Sequence, residues 1–81
     1  MTYRELDTVV LTRDLPEHGL RAGDLGAVVQ VYSADALEVE FVRASGQTQA
    51  LVTLAAVDVR PVAEHDLVAV RSITPSSRGA A

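Results

Sequence analysis

The sequence predicts an all-β domain: a small, partly open barrel of five to six short strands with a long first loop. Three observations lead there. Apolar residues make up 48% of the chain, mostly valine and leucine, with Tyr3, Tyr32 and Phe41 the only aromatics, and valine suits the half-buried surface of a strand. Apolar runs recur at roughly 8- to 12-residue intervals between turn-forming residues, with no helix-length periodic segment. At 81 residues, two complete packed sheets are hard to build, whereas one sheet curling on itself can still enclose a core.

Residues 7–12, DTVVLT, form the first expected strand on their β-branched content. The next stretch, RDLPEHGLRAGD, is polar and turn-forming around Pro16, Gly19 and Gly23. A loop of that length is usually functional or packed by its own side chains, and Leu15 and Leu20 are the candidates to pin it. Residues 25–33, LGAVVQVYS, read as the second strand and residues 36–43, ALEVEFVR, as the third. In the third, Leu37, Val39 and Phe41 alternate with Glu38 and Glu40, so one face is buried and the other solvated. Ala44-Ser45-Gly46 closes a hairpin, with Gly46 suited to a positive φ.

Residues 47–54, QTQALVTL, make the fourth strand, with Ala50, Val52 and Leu54 inward. Ala55-Ala56-Val57 is too short for a helix and fits a single 3₁₀ turn. Residues 58–62, DVRPV, are a short fifth strand, which Pro61 confines to an edge or a strand end because it donates no ladder hydrogen bond. Residues 67–73, LVAVRSI, have the composition of a sixth strand. The expected organisation is one domain over residues 1–73 and a disordered tail over residues 74–81.

Gly19, Gly23 and Gly26 are spaced G-x-x-x-G-x-x-G, which raises the question of a phosphate-binding loop. Such loops present backbone N–H groups at a helix start, with a G-x-G-x-x-G or G-K-[ST] pattern. Here Gly26 runs into strand valines and the chain has no lysine. The glycines are therefore expected to turn the chain, with Gly26 permitting a bulge or a close backbone approach.

The formal charge is −4, and residues 1–62 carry all of it, with five arginines against nine carboxylates. Arg4, Arg13, Arg21, Arg43 and Arg60 are scattered singly, which disfavours nucleic acid, whose affinity comes largely from clustered cations. The absence of cysteine removes disulfides and thiolate metal sites. No apolar run approaches the ~20 residues that span a bilayer, and MTYRELDTVV has no signal-peptide pattern. A cytoplasmic protein is expected, and abundant Ala, Val and Arg without Lys points to a GC-rich bacterium.

The order of a long loop, then G-D-x-G-x-V-x-x-V, then a glutamate-rich alternating strand resembles SH3-like barrels. The G-D-x-G-x-V step is also similar to the KOW motif of ribosomal and transcription proteins and to the barrel of nitrile hydratase β subunits. More closely, LDTVVLTRDLPEHGLRAGDLGAVVQVY, then LEVEFV, then ALVTLAAVDVRPV resembles a bacterial family of small proteins, domain of unknown function 4926, over residues 6–73. The resemblance transfers no catalytic residue. It implies an immunity-like or antitoxin-like role, since some relatives are encoded beside toxin-like proteins.

No residue pattern points to catalysis. Ser33, Ser45, Ser72 and Thr8 lack a nucleophile-elbow context, and Asp14, Glu17 and Asp24 show no sign of two contrasting carboxyl environments. His18 with Asp14 and Glu17 has metal-binding chemistry but no ligand-spacing motif, and His65 lies in a polar linker. No cofactor is expected. Two tyrosines, one phenylalanine and no tryptophan argue against an aromatic-lined groove for proline-rich peptides. The expected function is a non-catalytic protein-interaction module, with the product of an adjacent gene as its partner and no nucleic acid or membrane. Its contact residues are Arg13, Asp14, Glu17, His18 and Arg21 in the loop, with Glu38 and Glu40 forming an acidic face for a basic partner. The alternatives are a KOW-like nucleic-acid binder, supported if Arg21, Arg43 and Arg60 cluster, and an assembly or metal-delivery factor related to nitrile hydratase subunits.

Overall fold

The computed structural model describes residues 2–73, and the tail expected over residues 74–81 lies outside them. Five strands form a single antiparallel sheet: β1 (Thr8–Leu11), β2 (Leu25–Val31), β3 (Ala36–Val42), β4 (Thr48–Ala55) and β5 (Val59–Pro61). Their spatial order is β4-β3-β2-β1-β5. The sheet is not closed, because β4 and β5 remain its two edges.

Chain length forces this sheet to curl. Only four residue steps separate the end of β4 at Ala55 from the start of β5 at Val59. That connection reaches at most about 14 Å, whereas a flat five-stranded sheet would hold its outer strands about 19 Å apart. The short link is a 3₁₀ turn at Ala56–Asp58, as the sequence predicts. It is tied to both sides of the fold: Ala56 N–H donates to Asp35 O at 2.8 Å, and Thr12 N–H donates to Asp58 O at 2.8 Å. Ladder irregularities between Val28 and Gln30 and between Phe41 and Val42 supply local bends of the kind a curling strand needs.

The concave face carries the core. Leu37, Val39 and Phe41 of β3 are buried, as the alternation requires, and they meet Val9, Leu11, Val28, Leu54 and Val59. Leu15 and Leu20 join the same cluster. The loop after β1 is thus held down by its leucines, with a 3₁₀ turn at Pro16–His18 and a bridge between Leu15 and Leu20. Gly19 and Gly23 have φ of 70° and 98° and turn the chain there, and Gly46 has φ of 94° in the β3–β4 hairpin.

Of the two readings of Gly26, the bulge is not found, since Gly26 pairs with Val9 inside the β1–β2 ladder, and the close approach to its backbone is. Its missing side chain makes room for Val39 and Phe41. Residues 67–73 form no sixth strand. The neighbouring edge strand β5 is three residues long and ends at Pro61, which offers no N–H to a further ladder. The chain then turns, with Asp66 N–H donating to Ala63 O at 3.0 Å.

Candidate functional site

Glu38 and Glu40 lie on the convex face of β3, because the alternation that buries Leu37, Val39 and Phe41 turns them outward. Register brings hydroxyl groups to them. Thr53, opposite Glu38 on β4, donates to Glu38 Oε1 at 2.6 Å. Tyr32 OH donates to the same oxygen at 3.1 Å, and Thr48 Oγ1 donates to Glu40 Oε2 at 2.5 Å. Partial desolvation and the bond to Glu38 push the Tyr32 phenol above its ordinary value. Among the described residues, neither glutamate has a cation within ion-pair distance. The result is two carboxylates with restricted orientation and uncompensated charge.

The loop residues connect β1 to β2, and several hold the loop in place. Arg13 Nε is 3.1 Å from Asp58 Oδ1. Asp14 Oδ1 accepts from Ala22 N–H at 2.8 Å, and Arg21 N–H donates to Asp24 Oδ2 at 2.8 Å. Glu17 is exposed. His18 contributes its carbonyl, which accepts from Gln49 Nε2 at 3.0 Å. Asp14, Glu17 and His18 do not converge into a ligand set, and no group of three potential metal-binding side chains occurs among the described residues.

Residues 66–73 cross the sheet as a strap held by two ionic latches of opposite polarity, which sequence reasoning missed. Asp66 is bound bidentately by Arg60, at 2.8 and 3.0 Å, and also accepts from Ala63 N–H at 2.6 Å. Arg71 binds Asp24 at 2.9 and 2.6 Å and donates to Gly19 O at 3.0 Å. Arg60, followed by the Ala63 amide, holds the Asp66 carboxyl down to about 2. At Asp24, burial works to raise the pKa, but the bonds from Arg71 and the Arg21 amide outweigh it and the net shift is downward.

Of the arginines considered as a cluster, Arg43 and Arg60 line one cleft together with Arg71, whereas Arg21 does not. Arg60 is engaged by Asp66, and Arg43 is bound to glutamine amides, with Nε 2.7 Å from Gln49 Oε1 and Nη1 3.4 Å from Gln47 Oε1. No helix among the described residues is long and apolar enough to cross a membrane.

Comparison with known proteins returns one family. Residues 5–61 match the model described as Domain of unknown function (DUF4926). No curated protein and no solved structure matches the chain.

Proposed function

The chain belongs to the DUF4926 family, and on that premise we propose that it is a non-catalytic protein-interaction module whose convex β3 face engages a basic protein. The role is immunity-like, antitoxin-like or accessory, and the partner is the product of an adjacent gene in a bacterial cytoplasm. One observation carries this reading: Glu38 and Glu40 are oriented by Thr53, Tyr32 and Thr48 but not neutralised by any described cation. Carboxylates already restrained in the free protein lose little further side-chain freedom on binding. Their charge speeds encounter with a positive surface. Glu17 and the His18 turn extend the contact from the loop, while Arg13 ties the loop to Asp58 and Asp14 and the Arg21 amide shape it from within.

Association kinetics with the adjacent gene product test the proposal. The on-rate should fall between 0.01 and 0.15 M salt, where the Debye length shrinks from ~30 to ~8 Å. The double variant Glu38→Lys, Glu40→Lys should associate roughly tenfold more slowly while melting like the parent. Random-sequence DNA and RNA should bind negligibly at 0.15 M salt. Capture of nucleic acid alone, or a partner on-rate indifferent to both salt and charge reversal, overturns the reading.

A further inference from the structure

The strap does not lie flat on the sheet. Between them is a cleft of about 720 Å³, within the roughly 300–1,000 Å³ of small-molecule sites. Its walls include Val10 of β1, Leu25 of β2, Val42 of β3 and Val62, facing Val68 and Ile73 of the strap. Leu25 and Val42 are 40% and 50% exposed. They are large apolar side chains on a sheet face that no other described element covers.

The charges around the cleft do not cancel. Asp24 and Asp66 are consumed by Arg71 and Arg60, which leaves Arg43 as the one lining cation without a carboxylate among the described residues. The surplus is a single positive charge in a chain whose net charge is −4. Arg43 is also positioned. The His18 carbonyl orients Gln49, and Gln49 Oε1 in turn accepts from Arg43 Nε. A guanidinium has five N–H donors; the bonds to Gln49 and Gln47 use two, and the remaining three have no described partner. Gly19 keeps this arrangement possible, since a Cβ there would lie 3.1 Å from Gln49 Nε2.

We propose that this cleft binds a medium-chain carboxylate, with its apolar body between the sheet and the strap and its head group on Arg43. An inorganic anion would leave the valine and leucine walls without a partner, and a divalent cation would find both aspartates already paired. The backbone of residues 67–73 makes no hydrogen bond to another described backbone group, so the strap is held by its latches and can adjust to the ligand without breaking a ladder. Glu38 and Glu40 do not line the cleft, so this proposal is tested separately from the acidic face.

The test uses the full chain with dodecanoate below its micelle concentration, and with methyl dodecanoate as the uncharged control. Calorimetry should show one saturable site for the acid. Arg43→Gln, an exposed substitution expected to leave the melting curve unchanged, should weaken the acid roughly tenfold, as loss of a charge-assisted pair does. The ester should bind the parent about as weakly as the acid binds the variant. Amide NMR shifts should map to Leu25, Val42 and Val68. Absence of binding, equal affinity of acid and ester, indifference to Arg43→Gln, or shifts confined to the Glu38 face each overturn the proposal.

Discussion

Val39 occupies the space that Gly26 leaves empty. A Cβ on Gly26 would stand 2.6 Å from Val39 Cγ1, with Phe41 Cε2 at 2.9 Å, inside van der Waals contact. Gly26→Ala is therefore an overpacking substitution, expected to cost roughly 1–3 kcal/mol, and Gly26→Val more. Urea denaturation measures this. Combining Gly26→Ala with Val39→Ala should recover part of the loss, because the two changes share one volume. Strict additivity in that cycle would place the cost of Gly26→Ala elsewhere, in the backbone.

The faces of β3 make a second comparison. Val39 is fully buried and Glu40 half-exposed. Val39→Ala should cost about 2 kcal/mol, from lost transfer energy plus the cavity left behind. Glu40→Ala should cost about 0.5 kcal/mol or less. Equal losses in thermal melts would mean the side-chain alternation is misassigned.

Leu6 adopts φ of 74° and is 83% exposed. A left-handed backbone costs an L-residue roughly 1–2 kcal/mol, and asparagine tolerates it better. Leu6→Asn should leave stability unchanged or raise it by up to about 1 kcal/mol. A clear loss in urea denaturation would show that Leu6 makes a contact worth the strain.

The latches have a defined pH dependence. Asp66 and Asp24 are both held below the ordinary carboxylate value, Asp66 at about 2. A depressed folded-state value means each latch stabilises the fold fully above the ordinary value near pH 4; the Asp66 latch loses that contribution as pH falls through about 2, and the Asp24 latch as pH falls through its own lowered value. Carbon-13 NMR titration of the side-chain carboxyls checks the values directly. In Arg71→Ala, the Asp24 carboxyl should titrate upward while Asp66 stays in place; a joint shift would mean the two latches are coupled through the strap.

How far each feature is legible in the sequence follows from how far apart its parts lie. The burial of Leu37, Val39 and Phe41 and the exposure of Glu38 and Glu40 follow from a period of two within seven residues. Leu15 and Leu20 are legible as the apolar residues of a polar loop. The hydroxyl partners of the glutamates are not, since Thr48 and Thr53 reach them only through the β3–β4 register. Residues 67–73 mislead for a related reason. Their composition is that of a strand, but a strand also needs an edge to pair with, and Pro61 ends the one nearby.

Local chemistry in the sequence by itself determined the five strands, the inward faces of β3 and β4, the turns at Gly19, Gly23 and Gly46, and the link after β4. These depend on side-chain period and backbone freedom over a few residues. Tertiary structure alone decided that Val39 and Phe41 are what pack against Gly26 and that residues 66–73 are a latched strap over a cleft. Asp24 and Arg71 stand 47 positions apart, and nothing local relates an aspartate in a turn to an arginine so distant. The path of the strap from β5 towards the start of β2 brings them together, and the energy of a charge pair depends on that distance in space.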